Sequence, residues 1–263
     1  MIGLFFGDTD FPKKILNSLR KLKKDYFIID LSQNRKFKTN KNSYFISIGQ
    51  FGKIISLIKR KKCDKVLFAG KINKPKLSNL KLDFKGLYYI PRILRASKIG
   101  DAAIFKEIIR ILSKEKIKVI SSIKFNPELT LSKGTHTKLK PNKRDLRSIK
   151  KGIQALNQLN AHNHTQGVVV RSLNVIARES SKGTKRMLQL IKKSKNSQGI
   201  LIKLPKKKQD LRVDLPTIGL DTLKDCKRVG IKGVVLRSKK NIFMDKGKSI
   251  SFANKNKIFI SII

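Results

Sequence analysis

MIGLFFGDTDFPKKIL, residues 1–16, is the stretch whose reading decides the fold. Ile2–Phe6 is an unbroken apolar run, too short for a helix and closed by the turn GDTDFP, so it reads as a buried strand. Pro12 then suits the first turn of a helix, with Asp10 or Thr9 near its N-cap. Working outward, YFIID (Tyr26–Asp30) is a second strand. YFISI (Tyr44–Ile48) is a third, followed by Gly49 and a helix near Phe51–Arg60. KVLFA (Lys65–Ala69) is a fourth and ends in Gly70. Asp101–Ser113 has helical spacing, with Ile104, Ile108, Ile111 and Leu112 on one face, and Val119–Ile120 is a last short strand. This alternation predicts a parallel sheet in an α/β layer fold.

Residues 126–146 (NPELTLSKGTHTKLKPNKRDL) are polar and hold two prolines and a glycine, which reads as a linker. Beyond it the spacing predicts a helix over Leu146–Leu159, a strand at Gly167–Val170, a helix over Thr184–Lys193 and a strand at Gly199–Lys203. A helix over 220–228 and strands at Gly233–Leu236 and in the terminal KIFISII complete the pattern. The expected organisation is an N-terminal α/β, Rossmann-like domain (1–126), a linker (127–145) and a C-terminal α/β domain (146–263), with a ligand cleft between the domains.

Of the 263 residues, 62 are Lys or Arg and 17 are Asp or Glu, a net charge of +45. Such a charge invites a nucleic-acid reading. Against it, Lys outnumbers Arg 48 to 14, whereas phosphate and base recognition favours the guanidinium fork, and the charge is spread over both halves. No nucleic-acid partner is therefore expected. Lys, Ile, Asn and Phe share A/T-rich codons, so the excess reads as compositional drift onto solvated positions; such a surface still attracts anionic membranes and polyanions. No run of apolar residues is long enough to span a bilayer, and the N-terminus lacks the features of a signal peptide. Cys63 and Cys226 stand far apart and outside any CxxC pattern, which excludes a disulfide framework and fits a reducing, cytoplasmic setting.

Read residue by residue, the chain shows no GxGxxG, GxxxxGK[ST] or HExxH motif. His136, His162 and His164 are the only histidines; a metal pair at the latter two has no third ligand nearby, so a surface loop is the expected setting. With only 13 Asp and 4 Glu, each carboxylate is informative. Asp214, in RVDLPTIG (212–219), stands where a carboxylate either caps a helix or holds Mg²⁺. Asp101 follows Gly100 and suits an N-cap, and Gly183–Thr184 opens a helix whose backbone amides are suited to a phosphate.

The runs IGQFGKI (48–54), CDKVLFAGKINKPKL (63–77), GLYYIPRILRASKIGDAAIF (86–105), VVVRSLNVIARESSKGTKRML (168–188) and RVDLPTIG resemble the LpxI-type UDP-2,3-diacylglucosamine pyrophosphatases of lipid A biosynthesis. The resemblance runs from Met1 to about Ile262. It implies two α/β-type domains with lipid held between them, and hydrolysis of UDP-2,3-diacylglucosamine to UMP and 2,3-diacylglucosamine 1-phosphate (lipid X). Water would attack the sugar-side phosphorus, with Mg²⁺ present. It also implies a cytoplasmic protein in peripheral contact with the inner face of the inner membrane. By position, Asp214 matches the catalytic aspartate and the tentative metal ligand, with Thr217 beside it. Gly49, Gly52 and Lys53 match a glycine-and-lysine run, Gly70 ends the FAG strand, and Lys74 stands where the family usually has Arg. Asp101 matches the first carboxylate of GDD; Gln166, Gly167, Glu179, Gly183 and Thr184 match the C-terminal motif. On this reading Lys53, Lys74 and the amides near Gly183–Thr184 neutralise phosphate.

The departures are as specific as the matches. Asp8, Thr9 and Asp10 replace a glycine cluster, Ala102 replaces the second carboxylate of GDD, Lys185 replaces the aspartate of GTD, and Ser172 stands where a glutamate is usual. A relative that binds lipid or nucleotide without hydrolysis, and a polyanion-binding protein, are therefore the alternatives.

Overall fold

The computed structural model describes residues 1–73, 78, 80–162, 165–194, 198–206 and 209–263. The chain divides into two compact units, Met1–Asn126 with Asp210–Asp214, and Pro127–Gln209 with Leu215–Ile263.

In the N-terminal unit, strands β1 (Ile2–Phe6), β2 (Tyr26–Asp30), β3 (Ser43–Phe45), β4 (Lys65–Ala69) and β5 (Lys118–Val119) form one parallel sheet in the order β3-β2-β1-β4-β5. Side chains alternate across a strand, so one apolar run feeds two cores. Leu4, Phe6, Ile28 and Leu67 meet helix α1 (Phe11–Lys21) through Ile15, Leu16 and Leu19 on one face. Phe5, Phe27, Ile29, Val66 and Phe68 share a cluster with Ile54, Leu57 and Ile58 of α2 (Phe51–Arg60) and Leu112 of α4 (Asp101–Lys114) on the other. Between α2 and α4 in sequence lies α3 (Phe84–Ile99), a helix that strand–helix alternation did not indicate. It joins a further layer, where Tyr89 and Ile90 cluster with Phe51, Ile55 and Ile111.

In the C-terminal unit, α5 (Lys143–His162) begins within the stretch read as linker, which also holds β6 (Gly134–Thr135). The sheet runs β6-β13-β11-β9-β7-β8, with β7 (Gly167–Arg171), β8 (Asn174–Arg178), β9 (Gly199–Lys203), β11 (Ile231–Leu236) and β13 (Phe259–Ile262). Strands β9, β11 and β13 are parallel, whereas β6, β7 and β8 run antiparallel to their neighbours, so this sheet is mixed. Ile149 and Leu156 of α5 cover Val168, Val170, Ile200, Ile202 and Val235. Helices α6 (Gly183–Gln189), α7 (Leu220–Arg228) and α8 (Lys246–Lys255) cover Val169, Leu201, Val234 and Ile260. Thr217–Ile218 (β10) and Ile242–Phe243 (β12) form a separate parallel pair. Among the described residues no helix is long and apolar enough to cross a membrane.

Several boundaries differ from the sequence expectation, among them α5 (Lys143–His162 against Leu146–Leu159) and β11 (Ile231–Leu236 against Gly233–Leu236). The third strand pairs over Ser43–Phe45 rather than Tyr44–Ile48, because Ile46 packs against the core without entering the ladder. Helix α6 ends at Gln189 rather than Lys193. Gly100, at φ 138°, takes the N-cap of α4, leaving Asp101 as the first helical residue.

Gly233 of β11 lies opposite Phe259 of β13, and a Cβ there would overlap the buried phenyl ring. Gly233→Ala should therefore cost about 1–3 kcal/mol of unfolding free energy in urea titrations. Gly247→Ala, where a Cβ meets nothing within 4 Å in helix α8, should be neutral or stabilising by up to about 1 kcal/mol.

Candidate functional site

In the N-terminal unit the expected glycine-and-lysine run surrounds a carboxylate that sequence reasoning passed over. Asp83 caps α3 by accepting from the Gly86 amide at 2.8 Å, and also accepts from the amides of Gly52 (3.1 Å) and Lys53 (2.9 Å) in the first turn of α2. One side chain thus serves two helix N-termini, each carrying orphan N–H groups and a partial positive charge. Burial pushes the Asp83 carboxyl upward, but the three amide bonds and the Lys53 charge outweigh it and hold the group below its usual range. The glycines make the approach possible: a Cβ on Gly49 would lie 2.6 Å from the Lys81 carbonyl, and one on Gly52 3.0 Å from the Asp83 carboxylate. Gly49 and Gly52 therefore have a packing role, and the amides of Gly52 and Lys53 are engaged by Asp83; the Lys53 side chain is exposed.

At the carboxyl ends of β1, β2 and β4, Asp8 accepts from the Gln33 amide (3.1 Å) and from Asn73 Nδ2 (3.1 Å), and Lys36 Nζ donates to its carbonyl. The altered GDTDFP turn thus ties three loops together. Asp10 is exposed and forms a loose ion pair with Lys13 at 3.5 Å. Gly70, at φ 88°, faces Pro12. Asp30, buried at the end of β2, accepts from Ser32 N and Oγ and from Phe37 N, which shapes the following loop. Asp101 is exposed at the start of α4 with Ala102 after it, and Lys74 lies outside the described residues.

Asp214 is half-buried and follows a turn in which its amide donates to the Asp210 carbonyl at 3.1 Å. It is not the cap of α7, whose N-cap position is Gly219. The turn is fixed by Arg212, which holds both oxygens of Asp210 (2.6–3.2 Å) and lowers its carboxyl. Val213 packs into the N-terminal unit's core.

In the C-terminal unit Glu179 and Thr184 meet at a residue not foreseen, Lys203, with Gly167 against the glutamate. Lys203 Nζ meets Glu179 Oε1 at 3.0 Å and Oε2 at 3.3 Å and also contacts the Thr184 hydroxyl, which donates to Glu179 at 2.7 Å. Lys203 and Glu179 are both buried. Gly167 leaves room for the glutamate, since a Cβ there would lie 2.8 Å from Oε2, and its carbonyl accepts the Glu179 amide. Gln166 accepts the Leu204 amide, and the Gly183 amide donates to Ser180. Thr217 is exposed, its hydroxyl donating to the Leu215 carbonyl at 3.1 Å. Lys185 is exposed, and Ser172 begins the β7–β8 turn at φ 47°. His164 lies outside the described residues, and His136 Nε2 contacts the Ser132 carbonyl at 2.8 Å. A cavity of about 630 Å³ lined by Lys138, Lys246, Gly247, Ile250, Ser251 and Asn254 contains none of the expected site residues.

Both cysteines are buried, and burial together with Asp225 pushes the Cys226 thiol far up. Among the described residues no group of three or more His, Cys, Asp or Glu side chains converges on a common point.

Family models match nearly all of the chain. The LpxI N-terminal domain matches residues 1–129 and the LpxI C-terminal domain matches residues 132–261. The chain belongs to the LpxI family. A curated LpxI from Caulobacter vibrioides, UDP-2,3-diacylglucosamine pyrophosphatase, is 30% identical over 223 residues, covering 82% of this chain and 80% of that protein. Within this chain the two clusters carry separate stability consequences.

A depressed carboxyl in the folded state contributes stability that is present above the unfolded pKa of about 3.9 and is lost as pH falls through the folded value. Asp83→Asn should thus cost about 1 kcal/mol at neutral pH and flatten the acid side of the stability profile measured by urea unfolding below that pH. Lys203→Met, which strands the buried Glu179, should cost about 3–5 kcal/mol; adding Glu179→Leu should return much of it, as read in a double-mutant cycle of thermal unfolding.

Proposed function

We propose that this chain hydrolyses the pyrophosphate bond of UDP-2,3-diacylglucosamine, releasing UMP and lipid X, in a Mg²⁺-dependent reaction of lipid A synthesis. The observation that carries the reading is the family match through both domains together with an intact RVDLPTIG segment. Asp214 is held at the end of an Arg212-braced turn, five residues ahead of Gly219 at the N-cap of α7. Water attacks the sugar-side phosphorus, its oxygen enters the lipid X phosphate, and the bridging oxygen leaves with UMP. The Asp214 carboxylate orients that water and takes up its proton. Phosphoryl transfer is governed by positioning and charge neutralisation, so little covalent chemistry is asked of the protein. Lys53, with an exposed ammonium on the first turn of α2, supplies cationic charge toward the phosphates. The alternative role for Asp214 is to hold Mg²⁺, which would neutralise charge developing on the leaving phosphate. The protein acts in the cytoplasm, at the inner face of the inner membrane, because its substrate is a diacyl lipid.

A second reading, retention of lipid or nucleotide without hydrolysis, draws on Ala102 and Lys185, which stand where the family resemblance places carboxylates. UMP release with and without Mg²⁺ separates the two. The wild-type chain should release UMP only with the metal, and Asp214→Ala should lower the rate by roughly a hundredfold or more at an unchanged melting temperature. A wild-type rate in that variant removes Asp214 from the chemistry. Lipid X binding without any UMP release establishes the second reading.

A further inference from the structure

Helix α3 is apolar on two faces. Gly86, Tyr89 and Ile90 are buried against the neighbouring helices. The opposite stripe is open: Phe84 is 90% exposed, Leu87 60% and Tyr88 64%, and Pro91 continues it one turn further on. Spacings of three, four and seven residues place these four side chains in one row. Exposed Leu82 precedes the row and exposed Ile99 is the last residue of the helix. Contiguous exposed apolar rows mark interaction sites.

The charge around the row identifies the partner. Residues 80–100 carry Lys81, Lys85, Arg92, Arg95 and Lys98 against Asp83; Lys85 and Arg92 pair with Glu115 and Glu107, so the basic end of the stripe is Arg95 and Lys98. The Asp83 carboxylate is turned to three backbone amides. Arg95 and Lys98 are exposed and continue the same stripe at helical spacing beyond Tyr88 and Pro91. An aromatic and aliphatic row passing into a basic one is the composition of a helix lying in a lipid headgroup layer: rings enter the acyl boundary and cationic side chains extend to phosphates. A protein partner of like charge, including a second copy of this chain at +45, is repelled by the same residues.

We propose that the exposed stripe of α3 docks the protein on an anionic bilayer. The choice of a bilayer rests on the lipid-substrate reading above, but the binding can be measured without substrate. The full chain should co-sediment with vesicles of equal parts phosphatidylglycerol and phosphatidylethanolamine and much less with pure phosphatidylcholine. Phe84→Ser combined with Leu87→Ser should weaken the partition roughly tenfold or more, with circular dichroism and melting temperature unchanged. Arg95→Glu with Lys98→Glu should weaken it more than the equal charge change Lys182→Glu with Lys248→Glu on the other unit, which controls for overall charge. Wild-type partition in the first double variant overturns the proposal, as does equal loss in the two charge variants. A wild-type dimer in sedimentation velocity that the Phe84/Leu87 variant dissociates also overturns it, assigning the stripe to a second copy. UMP release from detergent-dispersed substrate should be the same in wild type and the Phe84/Leu87 variant. Loss of that release with vesicle binding intact assigns the stripe to the substrate's acyl chains and overturns docking. No release from either, with vesicle binding still dependent on the stripe, removes the hydrolase reading and leaves docking standing.

Discussion

A strand buried on both faces has to be covered from both sides, and most of this architecture follows from that constraint. Each residue of β1 is buried, so Leu4 and Phe6 call for one helical layer and Phe5 for another. A parallel strand pair needs a crossover segment, and a helix placed in that crossover supplies the cover. The C-terminal unit meets the same demand with α5 on one side and α6, α7 and α8 on the other. Its edges are different: β8 alternates exposed and half-buried positions, as an antiparallel edge strand can.

Helix ends and loops are fixed by a small set of carboxylates. Asp83 serves α2 and α3, Glu115 pairs with Lys59 and Lys85, and Glu107 pairs with Arg92 and Arg110. Asp145 exchanges hydrogen bonds with Asn142 at the start of α5 and pairs with Lys232 at 2.8 Å. Glu179 and Lys203 form a pair in which both partners are buried. Breaking such a pair exposes the cost of an uncompensated buried charge, even where the intact pair contributes little.

What was legible in the sequence was what periodicity encodes. Strands Ile2–Phe6, Tyr26–Asp30 and Lys65–Ala69 and helix Phe51–Arg60 carry uninterrupted patterns, and the structure places them at those residues. Helix α3 was hidden because Pro91 lies inside it and because it packs on helices rather than on a sheet. Strand β8 was hidden by its turn: Ser172 and Leu173 both adopt positive φ, where Asn-Gly chemistry would have signalled a hairpin. Helix α8 begins after Asp245 in the left-handed region and carries two serines and a glycine. Of the site residues, Glu179, Gly183 and Thr184 were visible as a motif, but Lys203 was one lysine among 48. Asp83 offered a fainter clue, a rare acid just ahead of the apolar run in FKGLYYI.

The division of labour among charges has an evolutionary consequence. Most lysines sit on solvated positions where a nucleotide bias can install them at little cost to folding. Many of the acids have no such latitude, because they close a turn, seat a helix end or neutralise a buried amine. A genome drifting toward A/T-rich codons can therefore raise the charge of this protein without dismantling it. The limit to that drift is set less by accumulated repulsion than by the few carboxylates that cannot be exchanged.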